Sequence, residues 1–278
     1  MKKCSLFLLV LGILYFPAYA QSLKTVWSSQ HIFQVPESVF YNRATHEIYV
    51  SNINGKPSAK DHNGFISKLD KNGDIIKLQW VKGLNAPKGM AVKGNHLFVS
   101  DINFLREINI KRGIVIRSFK ADDARFLNDV AIDNEGHVYV SDSQLGALFK
   151  LDGNKLKLWK KTTLLQNANG LSTENGHLLV GVKNHLLLID PLKMSLKILI
   201  NNAGIIDGLI PLGNNKYVVS NWAGKIQIIS KNKAPVILSN TTAQKINAAD
   251  LGFIPDENII LIPTFYDNRV VARKLIGY

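Results

Sequence analysis

The sequence predicts an all-β chain folded as a six-bladed β-propeller with four-stranded blades. Three observations support this prediction. Hairpin units recur along the chain, turn dipeptides such as Asn-Gly, Asp-Gly and Gly-Asn are dense, and no long stretch keeps the apolar period of about 3.6 residues that a helix needs.

The clearest hairpin unit lies between residues 126 and 142. Val130–Ile132 is a short apolar strand, Asp133–Gly136 has turn chemistry, and Val138–Val140 is a strand of β-branched and aromatic residues. The same order of strand, turn and strand recurs at intervals of roughly 40 residues, which is the length of a propeller blade. The six copies are anchored at Val39, Met90, Val130, Leu171, Leu209 and Leu251.

Each copy continues into a second hairpin, as Phe65–Leu69 followed by Ile75–Leu78 shows in the first copy. Two hairpins make a four-stranded sheet, and repeated sheets of this kind protect their edges by closing radially around an axis. The sixth copy provides only three strands before Tyr278. We therefore expect Leu23–Ser29 to supply the missing outer strand and close the ring.

The first twenty residues have the features of a secretory signal peptide. Lys2 and Lys3 precede an apolar run over Leu6–Phe16, and an Ala-x-Ala site ends at Ala20. The apolar run is shorter than the roughly 20 residues that a membrane span needs, so a membrane anchor is the weaker interpretation. We expect residues 1–20 to be the signal peptide, residues 21–278 to be the propeller, and the protein to be periplasmic or secreted.

The chain carries a net charge of +13, or +11 without Lys2 and Lys3, and its one cysteine is Cys4. The mature chain therefore has no disulfide, and an exported basic protein is expected to meet anionic surfaces rather than nucleic acid. A solvated basic surface that aids solubility is the simpler interpretation of the charge.

Polar residues precede the inner strands, whose starts converge at the mouth of a propeller channel. Oxygen ligands from separate blades suit a hard divalent cation, so these residues predict a metal site on the axis. For any one of them, a turn-forming role is the simpler alternative. The residues at these positions are Glu37, Lys88, Asn128, Asp129, Asn169, Asp207 and Asp250, and the predicted ligands are the carboxylates and carboxamides among them.

With these positions the chain resembles the regucalcin and gluconolactonase family of six-bladed propellers. The resemblance implies one divalent cation, Ca²⁺ in the first place and Mg²⁺, Mn²⁺ or Zn²⁺ as alternatives. The ligands it implies are Glu37 in Pro-Glu-Ser-Val-Phe, Asn169 in Asn-Gly-Leu and Asp207 in Asp-Gly-Leu, with Asn128 in Asn-Asp-Val nearby.

Two features depart from the family pattern. Ser38 and Val39 follow Glu37 where the family has Gly-Pro, and Arg125 stands three residues before Asn128 instead of two. Sugar-lactone specificity is therefore not implied, although the metal ligands are. The predicted substrate-binding residues are Arg125, Asp129, Lys60 and His62, the last two in a long insertion over Ile53–Gly64.

Two functions remain open from the sequence. The first is a metal-dependent hydrolase of lactones or esters, in which Asp207 or Glu37 accepts a proton. The second is a non-catalytic exported binding module whose metal, if it holds one, is structural. The sequence contains no nucleophile elbow, phosphate-binding loop or dinucleotide fingerprint.

Strand order predicts how the two faces differ. The insertion Ile53–Gly64 joins a second strand to a third, so we expect it to overhang the mouth as a lid. Asp101, Asp142 and Asn221, at the ends of second strands, are expected to bond the backbone instead of a metal. Basic residues in the turns between third and fourth strands are expected to gather on the face away from the mouth. They are Lys71, Lys111, Arg112, Lys155, Lys193, Lys231 and Lys233.

Overall fold

A computed structural model describes residues 21–278, and the predicted signal peptide over residues 1–20 lies outside them. The described chain forms 23 β-strands and three short 3₁₀ helices. The strands build six antiparallel sheets in chain order, each a blade of the propeller. The predicted fold class is confirmed.

The blades follow one another along the chain. Blade one contains β2 (Pro36–Asn42), β3 (Glu47–Asn52), β4 (Gly64–Asp70) and β5 (Ile75–Leu84). Blade two contains β6 (Pro87–Lys93), β7 (His96–Asp101), β8 (Phe104–Asn109) and β9 (Ile114–Lys120). Blade three contains β10 (Leu127–Ile132), β11 (Val138–Asp142), β12 (Ala147–Asp152) and β13 (Lys155–Lys161).

Blade four contains β14 (Leu171–Glu174), β15 (His177–Asp190) and β16 (Ser195–Ile205). Blade five contains β17 (Leu209–Gly213), β18 (Lys216–Asn221), β19 (Lys225–Ser230) and β20 (Val236–Asn240). Blade six contains β21 (Gly252–Ile254), β22 (Ile259–Pro263), β23 (Val270–Ile276) and β1 (Ser22–Ser28).

In blade four, one long strand takes the place of two. The first part of β15 pairs with β14, as Val180 does with Leu171, and the last part pairs with β16, as Asp190 does with Ser195. Asn184 between the two parts has a left-handed φ of 76°, a conformation that Asn tolerates better than most residues. The chain therefore turns inside β15, and the blade keeps four strand positions.

The ring closes as predicted, because β1 pairs antiparallel with β23. Leu23 stands opposite Leu275, and Trp27 stands opposite Ala272 after a bulge. The two ends of the described chain are thus hydrogen-bonded within one sheet. This closure covers an edge that would otherwise be free to pair with other chains.

Apolar side chains fill the spaces between neighbouring blades in separate clusters. Large aromatic pairs also join strands within a blade. Tyr49 stacks on Trp80 with ring centroids 5.1 Å apart, and Tyr139 meets the edge of Trp159 at 5.0 Å. Tyr49 and Tyr139 are fully buried, and each hydroxyl donates to a carboxylate, so the polar end of each ring is satisfied.

The polar residues at the ends of three second strands bond backbone, as predicted. Asp101 Oδ1 accepts from the Asn85 and Ala86 amides, both at 2.9 Å, and Asp142 Oδ2 accepts from the Arg125 amide at 2.7 Å. The Asn221 carboxamide oxygen accepts from the Ala223 amide at 2.9 Å. These bonds hold connecting loops that run to the inner strands or to the third strands.

The propeller has two faces. The mouth face is the one on which the inner strands begin, and the opposite face carries the turns between third and fourth strands. On the opposite face Lys71 pairs with Glu257 at 3.0 Å and Lys193 pairs with Asp190 at 3.6 Å. Part of the predicted positive charge there is therefore neutralised. Over residues 21–278, no helix is long and apolar enough to cross a membrane.

Candidate functional site

The inner strands of the six blades place two successive residues at the axis, which form two rings. Counting back from the six anchors, the mouth ring consists of Glu37, Lys88, Asn128, Asn169, Asp207 and Ala249. The channel ring, one residue further along the chain in each blade, consists of Ser38, Gly89, Asp129, Gly170, Gly208 and Asp250.

This register corrects one sequence-based assignment. The sequence pattern groups Asp250 with Glu37 as the residue before an inner strand, but Asp250 forms a bridge with Ser38, and its amide donates to the Glu37 carbonyl at 3.0 Å. Asp250 therefore belongs to the channel ring. Ala249 takes the sixth position of the mouth ring and offers no side-chain ligand.

Serine hydroxyls on the second strands hold both rings in place. Ser141 Oγ accepts from the Asp129 amide at 2.9 Å and donates to the Asn169 carbonyl of the next blade at 2.8 Å. Ser220 Oγ accepts from the Gly208 amide at 2.7 Å and donates to the Ala249 carbonyl at 2.7 Å. Each of these serines thus ties the channel ring of its own blade to the mouth ring of the following blade.

The glycines of the channel ring allow neighbouring inner strands to approach closely. A Cβ atom on Gly208 would lie 2.3 Å from the Leu251 amide nitrogen, and one on Gly89 would lie 2.5 Å from the Asp129 Cα. Any larger residue would push these blades apart. In the Asn-Gly and Asp-Gly steps, the glycine therefore allows neighbouring blades to pack closely. The Asn or Asp before it provides the polar side chain of the site.

Two side-chain oxygens of the mouth ring are buried without a hydrogen-bond partner, Glu37 Oε2 and Asn169 Oδ1. Asn169 Nδ2 donates to Asp207 Oδ1 at 2.6 Å, which directs the free oxygen of the carboxamide away from that bond. A buried polar atom without a partner costs free energy, so an unmade bond of this kind calls for an explanation. Both free atoms are oxygens, which are the ligands that hard cations prefer.

Four carboxyls share this buried region, and each holds its proton more strongly than usual. Burial, and then the charge of Asp207, raise the pKa of Glu37 well above its ordinary value. Burial raises the pKa of Asp207 to about 7, although the hydrogen bond from Asn169 acts to lower this pKa. The pKa of Asp129 also rises to about 7, mainly through burial, while backbone bonds from Leu171 and Val130 oppose the rise.

Asp250 completes the group. Burial and then the charge of Asp129, followed by that of Glu37, raise the pKa of Asp250 well above its ordinary value. The charges of the four carboxyls thus act on one another at the axis. Such clusters of perturbed carboxyls are typical of functional sites.

Lys88 is a buried cation of the mouth ring that the sequence did not single out as functional. Its Nζ donates to the Ala86 carbonyl at 2.8 Å and to the Pro57 carbonyl at 3.0 Å, and it lies 4.4 Å from the centre of the Phe126 ring. Burial lowers the pKa of Lys88 to about 8, although the charges of Glu37 and Asp101 favour its protonated form. Lys88 therefore partly balances Glu37.

The axial channel is a cavity of about 350 Å³ bounded by the inner strands. Its inner end is lined by Ser38, Asp129 and Asp250 of the channel ring. Its walls continue to Ile132 and Thr173, which are partly exposed near the ends of their strands. The channel thus runs from the channel ring towards the opposite face.

The predicted substrate-binding residues are not all gathered in one place. Asp129 is buried at the inner end of the channel, whereas Arg125 is exposed on the loop before β10, with its backbone amide bonded to Asp142. Lys60 and His62 are exposed on the insertion Ile53–Gly64. That insertion does reach the mouth ring, because its Pro57 carbonyl accepts from Lys88.

A second acidic group lies away from the axis. Ligand atoms of Asp133, Glu135 and His137 lie within 4.8 Å of one another, in the turn between β10 and β11 on the opposite face. Turn chemistry accounts for this group, because Asp133 Oδ1 accepts from the Glu135 amide at 3.0 Å and from the His137 amide at 2.8 Å. The fold of this turn brings His137 to the two carboxylates.

An exposed aromatic patch on the mouth face also escaped sequence analysis. Trp222, in the turn after β18, contacts Phe265 and Tyr266, in the turn after β22, with ring centroids 5.4 and 5.9 Å apart. Trp222 is 42% exposed and Tyr266 is 60% exposed, while Phe265 is buried. The two turns belong to neighbouring blades, so only the ring arrangement could place these residues together.

The mouth ring fits a divalent cation by its donor set. Glu37, Asn128, Asn169 and Asp207 provide two carboxyls and two carboxamides, and the free oxygens of Glu37 and Asn169 are already buried. Among residues 21–278, no three axial carboxyls come within 4.8 Å of one another. A metal site formed by two carboxyls and two carboxamides does not require three carboxyls to come so close.

No protein-family model matches the chain, and no curated protein sequence matches it. Solved structures do match its fold. A streptogramin B lyase superposes with a TM-score of 0.64 at 11% identity, covering 94% of this chain and 100% of the lyase. A catalytically inactive variant of virginiamycin B lyase from Staphylococcus aureus, solved with quinupristin, superposes with a TM-score of 0.60 at 14% identity, covering 92% of this chain and 100% of that one.

Two further solved structures share the fold. The WD40 β-propeller domain of Doa1 superposes with a TM-score of 0.63 at 12% identity, covering 85% of this chain and 77% of that one. The extracellular domain of the putative hybrid two-component system BT4673 from B. thetaiotaomicron superposes with a TM-score of 0.56 at 15% identity, covering 86% of this chain and 34% of that one. At these identities the likeness concerns the fold alone, and the chain is a six-bladed β-propeller.

Proposed function

We propose that the protein is a divalent-metal-dependent hydrolase of lactones or esters whose centre is the mouth ring. The observation that carries the proposal is the pair of buried oxygens without partners, Glu37 Oε2 and Asn169 Oδ1, next to Asp207. Glu37, Asn169 and Asp207 would hold the metal, with Asn128 beside them. Ca²⁺ suits this all-oxygen set best.

When bound, a divalent cation supplies Lewis-acid polarisation of a carbonyl and lowers the pKa of water. The residues of the chain have separate tasks around it. Asp207 or Glu37 would accept and return a proton during hydrolysis. Asn169 orients Asp207 through its 2.6 Å hydrogen bond.

Lys88 and the insertion shape the surroundings of the centre. The Lys88 charge offsets part of the negative charge of Glu37 and is itself fixed by the Pro57 carbonyl. The insertion Ile53–Gly64 therefore lies against the mouth ring and would exclude water as a lid, with exposed Lys60 and His62 available to contact substrate. Arg125 is exposed on the mouth face as well and is assigned to the substrate's outer part.

The resemblance to regucalcin and gluconolactonase propellers supports the metal ligands, and the similar fold of two lyases shows that this architecture accommodates enzymes. A non-catalytic binding module is the second candidate. The exposed Trp222 and Tyr266 on the mouth face favour it, because aromatic side chains of this kind anchor partners at interfaces. In that case the metal would only be structural.

Metal analysis of the purified protein, followed by a screen of lactones and aryl esters with and without chelator, tests the proposal. We expect about one divalent cation per chain and hydrolysis that chelator removes. Asp133→Asn, in the turn on the opposite face, is the matched control and should leave both intact. A metal that leaves with Asp133→Asn would assign it to the other acidic group, and a metal without hydrolysis would favour the binding module.

Export and surface association complete the proposal. We expect the mature chain to begin at Gln21 in the periplasm or outside the cell, which intact-mass measurement of exported protein would check; a folded product that keeps residues 1–20 would refute it.

The basic turns of the opposite face would give weak association with anionic polymers. That association should weaken as salt is added, because exposed charges are screened.

A further inference from the structure

The axial channel combines apolar walls with a polar inner end. Among the residues lining its walls are Val39, Met90, Val130, Leu171, Leu209 and Leu251 of the inner strands. The inner end presents the carboxyls of Asp129 and Asp250 beside Ser38. An apolar cavity with a few converging polar groups is the usual form of a small-molecule site, and about 350 Å³ lies in the range of such sites.

The two carboxyls are held by fixed donors. Asp129 Oδ1 accepts from the Val130 amide at 2.7 Å, and Asp129 Oδ2 accepts from the Leu171 amide at 2.6 Å. Asp250 Oδ2 accepts from Ser38 Oγ at 2.5 Å. Each carboxylate oxygen can accept more than one hydrogen bond, so both groups keep acceptor capacity for a ligand.

Among residues 21–278, no lysine, arginine or histidine forms an ion pair with Asp129 or Asp250. The neighbouring charges are negative. Asp207 acts on Asp129, and Asp129, Glu37 and Asp207 all act on Asp250. Lys88 acts on Glu37 and Asp101 instead. Glu37, one residue before Ser38, has a buried Oε2 without a hydrogen-bond partner. Without a counter-charge the ionised form of a buried carboxyl is costly, and a positive ligand would stabilise that form.

We propose that the axial channel binds an organic ammonium compound, with its charged head on Asp129 and Asp250 and a slender apolar tail along the channel. The tail would point towards the opposite face, where Ile132 and Thr173 are partly exposed at the end of the channel. Burial of the tail would add to the affinity in proportion to the apolar area it covers.

A metal ion is the competing occupant of this inner end. It would use only the oxygens there and leave the apolar walls of the channel without a partner, whereas an ammonium compound with a tail covers both. The proposal goes beyond the metal centre, because Asp129 and Asp250 lie outside the set Glu37, Asn128, Asn169 and Asp207.

Calorimetric titration of the metal-free mature chain with hexylammonium tests the proposal, with 1-hexanol and hexanoate as probes of equal length. We expect hexylammonium to bind at least about tenfold more tightly than hexanol and hexanoate. Equal binding of hexanol would show an apolar channel without charge recognition and would overturn the proposal.

Four variants locate the binding. Asp250→Asn should weaken hexylammonium at least about tenfold, and Asp152→Asn, which removes an exposed carboxylate on the opposite face, should leave it unchanged. Thr173→Trp should block the channel and abolish binding of hexylammonium. If Asp152→Asn weakens binding as much as Asp250→Asn, or Thr173→Trp binds normally, the channel is not the site.

Asp207→Asn, the fourth variant, separates this proposal from the metal centre. It should lose metal uptake while weakening hexylammonium binding less than Asp250→Asn does. Thermal unfolding of each variant confirms that it is folded. If hexylammonium does not bind and Asp250→Asn instead loses Ca²⁺, the carboxyl pair is a metal site and the ammonium proposal fails.

Discussion

The mouth ring and the channel ring lie one residue apart at the starts of the same six inner strands, yet they are built for different tasks. Five of the six mouth-ring positions carry polar or charged side chains, and two oxygens there have no partner. Three of the six channel-ring positions are glycine, and the carboxyl oxygens of Asp129 are bound by backbone amides. The inner strands thus combine free ligands at one level with close blade packing at the next.

The largest expected difference between the rings concerns metal. Asp207→Ala should abolish metal uptake and any hydrolysis together, because it removes one of only two carboxyls in the ligand set, while the six-bladed fold persists. Metal analysis, activity and circular dichroism measure the three outcomes. Asp250→Asn, in the channel ring, should change metal affinity far less. Comparable loss in both variants would mean that the two rings form a single site.

Stability should depend more on the channel ring than on the mouth ring, which is the reverse of the order expected for metal binding. Gly208→Ala should lower the free energy of unfolding by about 1 to 3 kcal/mol, since its Cβ would lie 2.3 Å from the Leu251 amide nitrogen. Urea unfolding measures the change. The adjacent Asp207→Ala serves as the comparison and should cost less stability than Gly208→Ala. A Gly208→Ala variant as stable as the parent would contradict the close approach of blades five and six.

The pH dependence of stability tests whether both rings hold crowded carboxyls. A carboxyl whose pKa is raised by folding stabilises the native state below its ordinary pKa, and that stability is lost as pH rises through the folded pKa. With Asp129 and Asp207 at about 7, the metal-free protein should lose at least about 1.4 kcal/mol between pH 5.5 and pH 8, the equivalent of one pKa unit.

Other groups do not reverse this sign. Asp133 has a lowered pKa and has finished titrating below pH 5.5, and Lys88, with a pKa of about 8, stays largely protonated over most of this range. Urea unfolding with chelator at several pH values gives the slope. Asp207→Asn should flatten it, and stability that rises with pH in the parent protein would refute the carboxyl cluster.

The smallest expected effect concerns the link between the rings. Ser141→Ala removes the hydroxyl that bonds the Asp129 amide and the Asn169 carbonyl, and it should lower stability by about 1 to 2 kcal/mol. Ser143→Ala, just after the end of the same strand, is the matched control. If metal affinity also falls in Ser141→Ala, the serine positions Asn169 for the centre; if neither property changes, the two hydrogen bonds contribute nothing to the site.

The sequence by itself determined the blades, because strands and turns are specified by local patterns that recur. The hairpin over residues 126–142, the closing strand near Leu23 and the backbone-bonding role of Asp101 and Asp142 were all predictable for this reason. The sequence also determined which residue of blade six belongs to which ring. Counting back two residues from the anchor Leu251 gives Ala249, and not Asp250, in the mouth ring.

Only the tertiary structure decided which polar atoms remain free. Glu37, Asn169 and Asp207 belong to three blades far apart in the chain, and whether their oxygens find partners depends on contacts that form when the ring closes. The same holds for Lys88, whose bond to Pro57 and contact with Phe126 join three separate segments. Local sequence specifies strands, whereas burial and charge at the axis are properties of the closed ring.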